Sequence, residues 1–513
     1  MFLDRKPDII PDIAVSTAMF LKPKPDIIPD IAESKTRNLV FLFDGTSNNL
    51  LQSPTNVTSF SKMLYNFRPE PIISGLNPPS VDSFFNSKDP RQAVYYRPGI
   101  GTYRPLSKSG YRIPFYLLIA KVVDMGIGLY FQEHVMAGYE DLCLAFHRLE
   151  DGSGQETEIS LFGFSRGAFT ARAIAALIAF FGILPEEYLK GGKEEKVVLA
   201  EIRKLYFTIP NFFFWRNLVK SHNDFSMEAK ALRQRYGLTE GKVHFLGVWD
   251  TVESVGILTS YQAMFTSWNP RVETFRQAIS LDERRAKFDI AMWLDRPAFN
   301  ADCDLEHINT DVQQVWFAGC HSDVGGGALL GGTGKHYLAN IPLRWMAREC
   351  FKTSSGIIFN TEALKKIGLN PLSLYPDVLP LPPPLPTLSA VQSPLSAPRD
   401  IAGLDGTGAI SEEDHDQWDV LSPIFDHLMI FLWKFLELLL FWKRDPNTGN
   451  SIFSSNLGRG RNIYEADPKI HRSVKQRMMA KPCPTVGRYV PAARLQPGNR
   501  VITTGPPDVV WVD

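Results

Sequence analysis

The sequence predicts an α/β fold: a mostly parallel sheet with helices on both faces and a cap or insertion toward the C-terminus. Three observations predict it. Short apolar runs alternate with stretches of helical periodicity. Residues able to do chemistry (Asp44, Ser165, Asp250, His321, Asp323) recur just after the C-terminal ends of those runs, where open α/β sheets bind ligands. One run also passes into an alanine-rich helix through a very short turn, Gly163-Phe164-Ser165-Arg166-Gly167.

In chain order, residues 1–37 read as a flexible arm. Met1–Ala14 and Met19–Ala32 match at twelve of fourteen positions, and the Pro-Asp-Ile-Ile-Pro core of each copy cannot run as helix. Two copies are too few for a solenoid. The arm holds no unbroken apolar stretch of secretory-signal length, which favours an intracellular protein, cytoplasmic or peripheral to a membrane. Residues 38–370 read as the catalytic domain. It opens with a buried strand, Asn38–Phe43, followed by a long polar excursion, Gln52–Lys108, that carries the segment Tyr95–Tyr103. Tyr130–Leu149 has helical periodicity and Glu158–Phe164 is a second strand. Arg166–Phe181 is a helix closed by Gly182, with Pro185 just beyond. Val243–Trp249 and Val312–Gly319 are the third and fourth strands. Residues 371–422 read as a linker: the proline-rich stretch Pro376–Pro398 is extended, and His415 sits in an acidic loop. Residues 423–513 hold a cap- or lid-like helix over Ile424–Trp442 and a polar tail, an insertion rather than sheet.

Composition narrows the function. Basic and acidic side chains balance at 55 each, which argues against a nucleic-acid binder held by a broad basic face. The five cysteines are odd in number and contain no C-x-x-C pair, so they read as buried thiols, not a disulfide framework or zinc ribbon. No phosphate-binding P-loop occurs, and no G-x-G-x-x-G opens a helix after a strand, so nucleotide and hydride chemistry have no support.

The chemistry points to Ser165. G-x-S-x-G between a strand and a helix is the pattern of a nucleophile elbow, which lifts the serine hydroxyl above the sheet at a helix N-terminus. A plain strand–helix turn with a serine cap is the simpler reading of the same residues. A serine needs a base and an orienting acid. Asp250 and His321 follow in the chain order this architecture uses, each at a strand end. A helix cap for Asp250 and a satisfied loop histidine for His321 are their plainer readings. His134, His147 and His427 sit in helical patterns; His415 and His471 could swing over the site only from outlying segments. For the oxyanion hole, one N–H is assigned to Arg166 and a second to Gly45 or Thr46, with Asp44 orienting that loop or making a simple Asx-turn.

Six segments, in order, carry a resemblance: Phe41–Asn49, Tyr95–Thr102, Leu161–Ala173, Gly247–Gly256, Leu281–Arg285 and Trp316–Gly327. Together they resemble the α/β-hydrolase family that includes the catalytic domain of type VI secretion phospholipase effectors and many uncharacterised fungal proteins. The resemblance spans about 38–348, with a weaker trace over Arg459–Arg477. It implies an α/β-hydrolase-like fold and an esterase site with Ser165 as nucleophile, Asp250 as acid and His321 as base. It also implies an ester substrate, a phospholipid in the bacterial effector branch; the triad chemistry itself calls for no cofactor or metal. Ala328 stands where the family usually has an aromatic residue, and the arm and proline-rich spacer have no counterpart; both leave substrate choice open.

Two rival readings stay in play. In a patatin-like Ser–Asp dyad, Asp323 would be the base. In a catalytically silent membrane-associated protein, Ile424–Trp442 would be the contact. That block is nineteen residues long, close to a bilayer span, but Asp426, Lys434 and Glu437 interrupt it. Each central charge costs about 2.5–3.5 kcal/mol against about 0.3–0.6 returned per Leu, Ile or Phe. A span is therefore disfavoured, leaving an interfacial lid or a buried cap helix. A metal site drawn from Asp44, Asp250, His321 and Asp323 is the remaining alternative.

Overall fold

Eight strands form one sheet in which every neighbouring pair is parallel. This is seen in a computed structural model that describes residues 26–29, 36–45, 54–68, 91–99, 115–150, 155–207, 222–252, 265–294, 308–327, 337–381, 412–426, 428, 441–444, 451–454, 456–480, 488–504 and 509–513. The strands are β1 (Arg37–Phe43), β2 (Gln92–Arg97), β3 (Thr157–Phe164), β4 (Val243–Trp249), β5 (Val272–Ser280), β6 (Asp311–Phe317), β7 (Lys469–His471) and β8 (Val510–Val512). Their spatial order is 2-1-3-4-5-6-7-8. The chain leaves β1 in one direction to make β2 and in the other to make β3. That reversal opens a crevice beyond the C-terminal ends of β1 and β3, the place where α/β sheets bind ligands.

Strand alternation builds two cores. Leu39, Phe41 and Phe43 face one side with Ile159 and Leu161; Val40 and Leu42 face the other with Phe162 and Phe164. The first face is covered by α2 (Phe115–Leu149), α3 (Arg166–Phe181), α4 (Lys193–Tyr206) and α5 (His222–Tyr236). The second is covered by α1 (Asn56–Ser61) and α7 (Asn340–Lys352), with the single-turn α6 (His321–Gly325) between sheet and α7. Burial on both faces explains why these strands read as near-continuous apolar runs. The fold is α/β and hydrolase-like, as the alternation of elements predicts.

Several expectations are corrected. The excursion Gln52–Lys108 contains α1 and edge strand β2, whose polar ends Gln92 and Arg97 hid it. Strand β5 was missed because Val272–Ser280 carries Arg276 and Gln277 in its middle. Both are buried and satisfied by distant partners: Arg276 donates to Glu349 and Asp311 at 2.6 Å each, and Gln277 accepts from Thr251 at 2.8 Å. The arm is not flexible throughout, because Ile27–Ile28 pairs antiparallel with Phe359–Asn360 and Ile28 is buried; residues 1–25 and 30–35 lie outside the described residues. The C-terminal segment is not wholly cap or insertion either, since it supplies β7 and β8 to the sheet.

The acidic loop is also a helix. After α8 (Thr361–Lys366), the helix α9 (Glu412–Val420) docks on α7 through Arg344, which donates to Asp416 at 2.5 Å and Asp419 at 2.6 Å with all three side chains buried. Of the block 424–442, residues 427 and 429–440 lie outside the described residues, so the cap-or-lid helix does too. Residues 424–426 are not helical, and Phe441–Arg444 forms a hairpin with Ser451–Ser454. Among the described residues, no helix is long and apolar enough to cross a membrane. A final helix, α10 (Arg472–Met479), follows β7.

Breaking the Arg344 cluster leaves two buried carboxylates facing each other. Arg344→Met should therefore lower stability by about 3–5 kcal/mol in urea titration and raise amide exchange over 412–420. An unchanged midpoint would show that the cluster is energetically idle.

Candidate active site

The site begins with backbone. Between β3 and α3 the chain reverses within one residue, and Ser165 takes φ 59°, ψ −124°, a conformation L-residues rarely adopt and one that costs about 1–3 kcal/mol. The turn closes only because its flanks lack side chains. A Cβ on Gly163 would lie 2.5 Å from the Gly167 carbonyl oxygen, and one on Gly167 would lie 2.3 Å from that of Phe43 and 2.4 Å from that of Asp44. The end of β1 and the start of α3 thus touch backbone to backbone. The Ser165 N–H extends the sheet ladder by donating to Trp249 O at 3.0 Å.

Ser165 Oγ lies 2.8 Å from His321 Nε2, and His321 Nδ1 lies 2.5 Å from Asp250 Oδ2. The three residues that sequence order singled out are in one hydrogen-bonded chain, all buried. Asp250 stands at the end of β4 with φ 42°. Its N–H donates to Ala278 O and its Oδ1 accepts from the Ser280 N–H, each at 2.8 Å, which anchors it across the end of β5. Burial alone would raise its carboxyl, but the Arg461 guanidinium and the His321 hydrogen bond outweigh that and hold it well below the usual carboxylate range.

His321 opens α6, packed between the Phe164 ring (centroids 4.6 Å apart) and the edge of Phe288 (4.9 Å). Burial lowers its basicity, the Asp250 hydrogen bond and charge work against that, and the net shift is downward. The imidazole is therefore neutral at pH 7, with Nδ1–H donating to the carboxylate and Nε2 left to accept from the hydroxyl, a tautomer inferred from the hydrogen-bond partners.

The remaining candidates behave differently. Asp323 closes a capping turn: its Oδ2 accepts from the N–H groups of Cys320 at 2.9 Å and Phe425 at 3.0 Å, and it does not contact Ser165. Burial pushes its carboxyl up to about 7. Asp44 accepts from Tyr96 Oη at 2.6 Å, Thr55 Oγ1 at 3.0 Å and the Gly45 N–H at 2.7 Å; burial still raises it to about 6. Asp44 thus accepts from the N–H of the next residue and ties the end of β1 to β2 and to the cap of α1. The Gly45 N–H, expected at an oxyanion, is turned to that carboxylate. Thr46 lies outside the described residues. Arg166 is the first residue of α3, where N–H groups point out of the helix end.

Among the described residues no grouping of three His, Cys, Asp or Glu side chains is fit to hold a metal. Of the outlying histidines, His471 caps α10 by accepting from the Ser473 N–H, His415 packs on Trp418, and His427 is not described.

Sequence reasoning missed the shell around His321. The Leu281–Arg285 motif, quoted without a role, supplies it. Asp282 Oδ2 accepts from the Gly319 N–H at 2.7 Å and Glu283 Oε2 from the His321 N–H at 3.2 Å; Arg285 pairs with Glu283 and lies 3.4 Å over the Phe288 ring. Arg461, which clamps Asp250, was missed altogether. Its only signal was the weak trace near Arg459–Arg477.

A family model described as "T6SS, Phospholipase effector Tle1-like, catalytic domain" matches residues 37–349, which include Ser165, Asp250 and His321 but not Arg461. An uncharacterised protein of Saccharomyces cerevisiae is 31% identical over 261 residues, covering 50% of this chain and 32% of the yeast protein. A crystal structure of an uncharacterised Pseudomonas aeruginosa protein is 17% identical and covers 66% of this chain and 49% of that one, with TM-score 0.34. The Tle1 effector bound to the VgrG spike of the type 6 secretion system is 16% identical over 58% of this chain and 52% of that one, with TM-score 0.27. The chain thus spans about a third of the yeast relative and about half of each solved structure.

At the elbow, Gly167→Ala places a methyl against backbone that cannot yield, so a loss of about 3 kcal/mol or more is expected in urea titration. Gly191→Ala is the control: its φ is +74° with nothing within 4 Å of the added methyl, so it should cost only about 1 kcal/mol of backbone strain. Equal losses at the two positions would show that the close approach at Gly167 is not tight.

Proposed function

This chain belongs to the type VI secretion phospholipase effector Tle1-like catalytic-domain family, and on that footing we propose that it is a serine hydrolase cleaving carboxylic esters of lipids, phospholipids foremost. The observation that carries the proposal is the unbroken relay Ser165 Oγ–His321 Nε2 and His321 Nδ1–Asp250 Oδ2, mounted on a strained turn at a helix N-terminus.

In this reading His321 Nε2 takes the Ser165 proton as Oγ attacks the ester carbonyl. Asp250 stays ionised and stabilises the imidazolium. The developing oxyanion faces the first turn of α3, where the Arg166 N–H is one donor and the positive end of the helix adds to it. The second donor is assigned to the loop after β1, where the Gly45 N–H itself serves Asp44. Collapse of the tetrahedral adduct expels the alcohol, which receives the proton from His321 and leaves an acyl-serine. Water, activated by the same imidazole, repeats the sequence and releases the acid.

Lipid preference rests on the family and on the apolar composition of the block 424–442. The dyad reading lacks its base, because Asp323 is committed to Cys320 and Phe425. A silent binder would have no use for a strained serine held against a neutral imidazole.

A fluorophosphonate probe should label the parent and not Ser165→Ala. Hydrolysis of p-nitrophenyl butyrate and of phosphatidylcholine vesicles should disappear with it. His321→Gln should lower kcat/KM about 10⁴-fold or more, whereas Asp323→Asn should stay within about tenfold of the parent. The opposite ranking would replace the triad with the dyad. Serine-independent labelling of folded protein would remove the hydrolase reading.

A further inference from the structure

We propose that Arg461, from a segment well beyond the family-matched residues, is a positioning residue of the same site: it fixes the Asp250 carboxylate against His321 and offsets its charge. This rests on the hydrolase reading above and names a part of the site that residues 37–349 do not contain.

The geometry is a fork on a fork. Arg461 Nη1 donates to Asp250 Oδ1 at 2.6 Å and Nη2 to Oδ2 at 3.0 Å, with both side chains buried. The same guanidinium donates to Ser280 Oγ at 2.7 Å and to Phe288 O at 2.5 Å, which joins the end of β5 to the ring that flanks His321. Arg461 is itself held from behind. Asn462–Ile463 pairs with Arg494–Leu495, Asn456 Nδ2 donates to Arg284 O at 2.6 Å, and Trp316 of β6 donates to Glu465 at 3.0 Å. Lysine has neither the planar fork nor the reach to make all four bonds at once.

The electrostatic consequence follows from a shared atom. Asp250 Oδ2 accepts from both His321 Nδ1 and Arg461 Nη2. The charged groups facing the imidazole are Asp250 from the end of β4 and Glu283 and Arg285 from the segment after β5; Arg461, from the C-terminal segment, faces the Asp250 carboxylate. Asp289 faces Arg461 from its far side, and Asp323, on the same helix as His321, turns to Cys320. Around the His321–Asp250 pair two anions, Asp250 and Glu283, meet two cations, Arg285 and Arg461. In a triad whose carboxylate is held by neutral donors alone, the uncompensated anion raises the histidine's affinity for a proton; here the guanidinium shares that carboxylate and offsets part of its charge. Removing Arg461 makes proton uptake by the His321–Asp250 pair easier, whichever atom carries the proton.

The test is the pH profile of full-chain protein, followed by fluorophosphonate labelling rate and p-nitrophenyl butyrate hydrolysis. The parent should lose activity only below about pH 6.5, the ordinary histidine value. Arg461→Gln should move that acid limb up by about one pH unit or more and lower kcat. Arg461→Lys, which keeps the charge but not the fork, should return the limb to within about half a unit of the parent while kcat stays low. A parent limb at or above about pH 7 overturns the proposal. So does an Arg461→Gln enzyme slowed by one factor at every pH, the mark of a merely structural arginine. If Arg461→Gln does not fold, the parent and Arg461→Lys profiles decide, and an Arg461→Lys limb displaced by a full unit overturns it. A parent with no Ser165-dependent reaction overturns both this and the hydrolase reading; a Ser165-dependent reaction with an unmoved limb overturns this one alone.

Discussion

Backbone contact between the end of β1 and the start of α3 is the constraint on which the site depends. Gly167 meets the carbonyls of Phe43 and Asp44 with no room for a methyl group, and Gly163 meets Gly167 in the same way. This contact sets how steeply α3 leaves the sheet, and so places the Ser165 hydroxyl above the strand ends instead of within them. The positive φ at Ser165 is a local cost met by the burial of α3, which is apolar over most of its length and packs into the larger core. Asp250 repeats the device one strand over, with a second positive φ held by hydrogen bonds across the end of β5.

Around that frame four sets of charges are matched within the interior or at its edge. Asp250 faces Arg461, Glu283 faces Arg285, Arg276 faces the buried Glu349 and the exposed Asp311, and Arg344 faces Asp416 and Asp419. A lone charge in such a setting would cost several kcal/mol or change protonation state, so each set is stable only when complete. Three of the four are closed by residues far apart in sequence. They therefore join segments that apolar packing alone would not register: α9 to α7, β5 to β6, and the C-terminal strands to the catalytic strand ends. His321 sits where two of these sets meet, and its basicity is the balance between burial and the charges around it.

How much was legible in the sequence varied with the kind of force involved. Strands buried on both faces read clearly, and the elbow was plain because its glycines and serine are dictated by local stereochemistry. Strand β5 was hidden because Arg276 and Gln277 take their partners from α7, β6 and the chain after β4. Edge strand β2 was masked by Gln92 and Arg97, and β7 and β8 by their length of three residues. The second Pro-Asp-Ile-Ile-Pro copy looked like loose arm, yet Ile27–Ile28 finds an edge at Phe359–Asn360.

The sequence by itself determined the alternation of strand and helix, the serine turn, and the order in which a hydroxyl, a carboxylate and an imidazole arrive at strand ends. Those features are local: they follow from apolar periodicity and from what glycine permits. Only the tertiary structure decided which carboxylates face the hydroxyl's partner and which, like Asp44 and Asp323, serve their own turns. It also brought Arg461 to Asp250 across 211 positions of chain. No pattern in the sequence encodes that meeting, because a buried ion pair is specified by the shape of the space between strands, and that space exists only after the sheet has formed.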